Sequence, residues 1–317
     1  MQYREFGKTG IRISVLGLGG HEFHANGKVR GFHDNKDLAI TPGYIFPEFG
    51  QKNRELIVKK AFDKGINFFD LTIDSEKEAM GRILQKLKPS DPFFLQTRPE
   101  GMVYEYDHAN KKMADYSLLK QEISRILKLI KREHIDIFNF AFNLTALEQD
   151  VEYLEKISAN IKKTKQEGLI RFATADTFSG QKVYLQQIET GSFDSIFINY
   201  NIVESFMDQL IFPYASDKSM AILGRVAFKK GSIFRLAEQA GFSNRNYIAR
   251  LVLKWILANK KITTMVIGVA NTEQLNNNLQ ILTNLELTEE EKNDIEKIRQ
   301  TEKYKQAYTR SKNNFCK

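Results

Sequence analysis

Gly65-Ile66-Asn67-Phe68-Phe69-Asp70-Leu71-Thr72-Ile73-Asp74-Ser75-Glu76-Lys77-Glu78-Ala79-Met80-Gly81-Arg82 decides how the chain is read. Asn67 to Phe69 are short, apolar and aromatic, as a buried strand is, and Ser75 to Leu87 has the spacing of a helix. Asp70, Thr72, Asp74 and Ser75 lie between them, where a strand opens onto a helix. In a β/α barrel that end of a strand carries chemistry. A carboxylate directly after two phenylalanines is a charge in an apolar wall and needs a cationic partner. Asp70 therefore holds a catalytic cation, or else makes a structural salt bridge or a helix cap.

Outward from this stretch the same alternation repeats. Helix Arg54 to Lys64 precedes it. After it come strand Phe93 to Thr97, helix Ser117 to Lys131, strand Ile135 to Phe140, helix Leu147 to Glu167, strand Ile170 to Thr174 and helix Ser179 to Thr190. Strand Ser195 to Asn199, helix Ser205 to Lys218, strand Met220 to Gly224, helix Tyr247 to Asn259, strand Thr264 to Ile267 and helix Thr272 to Leu282 complete the series. With Val15 to Gly19 this makes about eight strands, each followed by a helix, which predicts an α/β protein with a (β/α)8 TIM barrel. Tyr3 to Phe6 and Ile11 to Ser14 flank Gly7-Lys8-Thr9-Gly10, a β-hairpin capping the barrel. Thr288 caps a further helix with an acidic first turn, and the polar tail after Tyr304 lies over the barrel or frays. No linker or low-complexity tract interrupts residues 1–317, so one domain is expected. His21 to Gln51 is a long irregular segment carrying His21, His24, Arg30 and His33, and loops of that length are usually functional.

Of 317 residues, 42% are hydrophobic and 27% charged, ample for a large core. The net charge of +8 suits anionic ligands such as phosphates, but the lysines are scattered on helices, so specific nucleic-acid binding is not expected. No apolar run is long enough to span a membrane, and no signal peptide is visible. The single cysteine, Cys316, permits no intrachain disulfide, in keeping with a reducing cytoplasm. A monomer or small homo-oligomer is expected.

Reading off the carboxyl ends of the strands gives His21, Asp70, Arg98 with Glu100, Ala141 to Asn143, Asp176, Tyr200 with Asn201, Arg225, and Gly268 to Asn271. Asp70 and Arg98 end neighbouring strands and can pair in the barrel mouth. Arg225 and the Gly268-Val269-Ala270-Asn271 turn before a helix suit a phosphate, because a helix N-terminus offers free N–H groups and a favourable dipole. The histidines lack acidic or cysteine partners at metal-ligand spacing, so no metal site is expected.

At this point the chain resembles the aldo-keto reductase superfamily over nearly its whole length. The motifs are Tyr3 to Gly20, Gly65 to Asp70, Glu167 to Arg171, Arg225-Val226 with Gly231, and Ile267 to Asn278. The resemblance implies a barrel that binds NADP(H) across the strand ends. It places the family's catalytic Asp at Asp70 and its adenosine-phosphate clamp at Gly268, Asn271, Gln274 and Asn278, with Asp176, Tyr200 and Arg225 as further cofactor contacts. The rest of the family's catalytic set is replaced. The Tyr-Gly after the Asp is missing, because Thr72-Ile73-Asp74-Ser75 runs straight into the helix. The family's Lys falls at Arg98 and its His at Ala141. The Ser-Asn that holds the nicotinamide amide falls at Ala175-Asp176, and a Gln at Phe197.

Arginine cannot substitute for a lysine tuned to lower a tyrosine pKa. Three readings follow. The first is an NADP(H)-dependent oxidoreductase with a rebuilt acid/base set acting on a polar or anionic, sugar-like carbonyl or hydroxyl. There Tyr104 or His21 supplies the proton, and Asp70 with Arg98 orients the substrate. The second is non-redox chemistry, elimination or epimerisation, with Asp74, Glu76 or Glu100 as base. The third is a non-catalytic protein that keeps the fold and binds the cofactor.

Overall fold

A computed structural model describes residues 1–99 and 107–317 of the protein. An antiparallel hairpin, β1 (Tyr3–Glu5) and β2 (Arg12–Ser14), leads into a closed barrel of eight parallel strands. The staves are β3 (Leu16–Gly19), β4 (Phe68–Leu71), β5 (Phe94–Thr97), β6 (Ile135–Ala141), β7 (Ile170–Asp176), β8 (Ser195–Asn199), β9 (Ala221–Arg225) and β10 (Ile262–Ile267), with β10 closing the ring between β9 and β3. The expected (β/α)8 TIM barrel with an N-terminal hairpin is therefore present.

The two-residue period of a strand sorts the side chains. Phe68 packs inside the barrel with Phe94, Ile137, Phe197 and Leu223, whereas Phe69 packs outside, under the helices. Phe6 and Ile13 of the hairpin segment are fully buried in the inner cluster and plug the amino end of the barrel. Gly7, at φ +54°, passes so close to the Ser219 carbonyl that a Cβ would lie 2.6 Å from it, so the plug needs glycine at that turn. Two residues beyond Phe68 the same alternation turns Asp70 inward at the carboxyl end, in register with Gln96.

Several elements differ from the sequence expectation. The helix expected over Leu147 to Glu167 is two helices, Leu144–Gln149 and Tyr153–Gln166, because Asp150 leaves the helical region and its carboxylate accepts the Glu152 N–H at 3.1 Å. The one expected over Ser205 to Lys218 is likewise split, into Met207–Leu210 and Phe212–Asp217, with Pro213 in the first turn of the second, where its missing N–H costs nothing. The tail does not fray: Glu302–Cys316 is a helix capped by Thr301, tied down by a 2.7 Å bond from the Tyr304 hydroxyl to the Ile202 carbonyl and by Phe315 against Tyr184 and Phe206. Ser232–Gln239 forms a helix the sequence reading left out. No helix among the described residues is long and apolar enough to cross a membrane.

Candidate active site

The carboxyl ends of β4, β5, β7 and β9 bring four charges together. Asp70 accepts from the Arg98 guanidinium and, at 2.8 Å, from the Gln96 amide. Arg98 also lies 3.7 Å from Asp176, and Asp176 accepts from Arg225 at 2.7 Å and from Asn139 at 3.0 Å. Both guanidinium groups lie over the Phe197 ring, at 5.2 Å for Arg98 and 4.8 Å for Arg225. All four charged side chains are buried or nearly so, and each has an opposite charge in contact, as buried ions require. The charge in the apolar wall that the sequence presented at Asp70 is resolved by Arg98, as the strand ends suggested.

Beside this chain stands His21, just past β3. Its Nδ1 lies 2.6 Å from Glu76 Oε1, and Glu76 is in the first turn of helix Asp74–Leu87. The other Glu76 oxygen accepts the Thr72 N–H at 2.7 Å. The carboxylate is fully buried and the imidazole is 36% exposed. Burial would lower the His21 pKa, but the contacting Glu76 carboxylate and nearby Asp70 outweigh it and raise the pKa, with Arg98 opposing. Burial would raise Glu76, and the charge and hydrogen bond of His21, the Thr72 N–H and buried Arg54 hold it below its ordinary value. The Glu76 carboxylate thus favours the charged imidazole, which the Asp70 and Arg98 charges also face.

Other expected site residues are spent elsewhere. Asp74 is 1% exposed, and its oxygens accept from Lys77, Arg125 and the Gly43 N–H, so it is not placed to act as a base. Burial would raise its pKa, but Lys77 and Arg125 bring it well below the usual carboxylate range. Glu76 is likewise no base toward substrate, since His21 stands in front of it. Tyr200 stacks on Trp255 with ring centroids 5.5 Å apart and bonds Asp208 and Asn259, so it packs on the outside of the barrel. His24 pairs with Asp34 at 2.8 Å, the His33 ring accepts the Val29 N–H, and Arg30 holds Glu22 and the Pro47 and Glu48 carbonyls. These three shape the first loop. Glu100 and Tyr104 lie outside the described residues. Among the described residues, no cluster of three or more His, Cys, Asp or Glu side chains could hold a metal ion.

A nicotinamide dinucleotide fits one end of this mouth better than the other. After β10 the turn Gly268–Asn271 enters helix Thr272–Leu279. Asn271 caps it by accepting the Gln274 N–H at 2.9 Å, Gln274 accepts the Ala270 N–H at 2.9 Å, and Asn53 donates to the Ala270 carbonyl at 2.8 Å. The turn is preorganised with its helix dipole outward, which fits a phosphate. A Cβ at Gly268 would come within 2.8 Å of the Phe23 ring, so a larger residue there requires that ring to shift. Asn271 and Gln274 thus build the turn, and Asn278 is buried. The carboxamide end does not match: Asp176 is wholly buried and already bound by Arg225 and Asn139. Arg225 in turn bonds Asn199 at 2.9 Å and is not placed on a phosphate.

The sequence reading missed Gln96, Asn139, Thr174 and Asn199. Thr174 donates to Gln96 at 3.2 Å and pairs with Ser195 at 2.6 Å, so a polar layer supports the charged one. The signal was there: each is a polar residue two positions along its strand from an inward apolar one, Phe94, Ile137, Phe172 or Phe197.

With this geometry in hand, the comparisons agree on the family. The sequence model of the aldo/keto reductase family matches residues 48–300, and the chain belongs to that family. It is 24% identical to L-galactose dehydrogenase of Arabidopsis thaliana, over 90% of this chain and 89% of that protein. It is 19% identical to L-glyceraldehyde 3-phosphate reductase of Escherichia coli O157:H7, over 92% and 90%. Among solved structures it is similar to the holo form of aldo-keto reductase AKR11C1 from Bacillus halodurans, with TM-score 0.68, 16% identity and coverage of 94% and 96%.

Proposed function

We propose that this aldo/keto reductase family member is an NADP(H)-dependent oxidoreductase acting on a polar, sugar-like carbonyl or hydroxyl, with His21 as its proton-transferring acid. The observation that carries this is the His21–Glu76 pair set beside Asp70–Arg98 at the carboxyl end of the barrel. When bound, the cofactor supplies or takes the hydride; the Gly268–Asn271 backbone and the helix behind it would hold its phosphate. The choice of NADP(H) rests on the resemblance and the +8 charge, now that Arg225 is engaged with Asp176.

Protonated His21 gives its Nε2 proton to a carbonyl oxygen, or takes it back in the oxidative direction. Arg98, permanently charged, stabilises the negative charge that develops on that oxygen, and Asp70 with Gln96 holds the guanidinium in place. Two arginines balance two aspartates here, so the described mouth favours a neutral polyhydroxy carbonyl over a multiply charged one. Neutral aldoses, the chemistry named for L-galactose dehydrogenase, are the substrates to assay first, with a triose monophosphate, named for the second relative, as the charged comparison. His21→Asn should lower kcat by about 10²–10⁴-fold; retention of full turnover would remove His21 from the chemistry.

The Asp176–Arg225 pair favours a second reading, in which the same acid drives elimination or epimerisation. It predicts product with no change in nicotinamide absorbance.

A further inference from the structure

We propose that Glu76 is the positioning residue of His21: it fixes Nδ1 as the protonated nitrogen and leaves Nε2 as the atom that exchanges protons at the barrel mouth. This rests on the role proposed for His21 and deepens it.

The pair is built from several independent pieces. A carboxylate 2.6 Å from Nδ1 requires the proton on that nitrogen. Glu76 cannot swing away, because its second oxygen is bound to the Thr72 N–H at 2.7 Å. Gly20, the residue before His21, leaves room for this carboxylate; a methyl group at 20 would overlap it. Arg54, buried behind the pair, donates to the Gly19 carbonyl at 2.7 Å and adds its charge to the same pocket. Two rings hold the imidazole edge-on, Phe32 at 5.5 Å and Phe23 at 6.5 Å, so rotation about the ring axis is restricted. The charges facing His21 are Glu76, Asp70 and Arg98; those facing Glu76 are His21 and Arg54. Of these charges, Glu76 is the one hydrogen-bonded to the imidazole.

Glu76→Gln tests this. Glutamine keeps the shape but has one acceptor oxygen for two donors, Thr72 N–H and His21 Nδ1–H. Isotope-labelled histidine in the full chain is titrated by NMR, with His21→Asn assigning its resonance among five histidines. The expected result in Glu76→Gln is a mixed tautomer and a His21 titration midpoint lower by about one unit or more. The limb of the kcat–pH profile should move with it, kcat should fall about 10²-fold, and KM should change little. Glu76→Asp, which keeps the charge one methylene further back, should recover part of both shifts. An unmoved His21 titration and tautomer in Glu76→Gln would overturn the proposal, as would a shifted titration with an unshifted kcat profile. The tautomer is read without turnover. If no carbonyl substrate is turned over while the titration shifts as expected, the oxidoreductase reading fails and the positioning of His21 by Glu76 stands.

Discussion

Asp176 of β7 and Arg225 of β9 are joined by a 2.7 Å ion pair that spans the strand between them, with the guanidinium lying over the Phe197 ring of β8. A buried carboxylate left without its cation costs about 3–5 kcal/mol. Arg225→Met leaves Asp176 the more distant Arg98, at 3.7 Å, and Asn139, so it should lower unfolding stability by less than that, about 2–3 kcal/mol, in a denaturant titration. Arg225→Lys should lower it less, since an ammonium can reach Asp176 but cannot also lie flat on the ring and bond Asn199.

Asp70→Asn converts the contact with Arg98 from charge-assisted to neutral while Gln96 stays beside it. The guanidinium loses the group that fixes its direction. Turnover should fall by about 10²-fold or more with a smaller change in KM. Steady-state kinetics on the best sugar substrate would read it, and unchanged kcat would remove Arg98 from charge stabilisation.

The His21–Glu76 pair makes stability depend on pH in a stated window. His21 titrates above its ordinary value of 6.5, so its contribution is complete below 6.5 and fades as pH rises through the raised value. Glu76 titrates below its ordinary 4.5, so its contribution is complete above 4.5 and fades as pH falls through the lowered value. These are two faces of one interaction, at its fullest between 4.5 and 6.5. The stability gap between wild type and Glu76→Gln should be larger at about pH 6 than at about pH 9 in denaturant unfolding.

Gly81, in helix Asp74–Leu87, lies against the Leu129 carbonyl and Ile130 at the end of helix Tyr116–Ile130. Any Cβ there meets backbone, which cannot rotate away. Gly81→Ala should destabilise by about 1–3 kcal/mol in spite of alanine's better helix propensity. A stability gain on thermal unfolding would mean the two helices can separate at no cost.

Asp74→Asn should act on stability and on the first loop rather than on chemistry. It leaves fully buried Lys77 with a neutral partner and weakens the tie to the Gly43 N–H. A loss of about 3 kcal/mol or more and faster proteolysis between residues 36 and 47 are expected.

Much of this was legible in the chain. The strand–helix alternation yields the barrel because each strand is short, apolar and bounded by polar helices, and Asp70 with Arg98 could be paired from adjacent strand ends. The family resemblance located the turn after β10 but not what its side chains do: Asn271 and Gln274 are turned back onto their own backbone. Tyr200 looked like a mouth residue because it follows β8, yet the chain turns there and the ring packs outward on Trp255. Asp74, one helical turn before Lys77, could not be seen to be sealed by Arg125, which is 51 residues away. The helices split at Asp150 and at Pro213 were misjudged because their hydrophobic spacing runs on across the break.

The first turn of helix Asp74–Leu87 fastens the loop after β3 at three successive residues: Asp74 to Gly43, Ser75 to Phe46 and Glu76 to His21. That is possible because only Thr72 and Ile73 separate β4 from the helix. Lengthening this connection would carry all three anchors away at once. The two-residue length of this connection is therefore what holds the first loop, and His21 with it, against the helix.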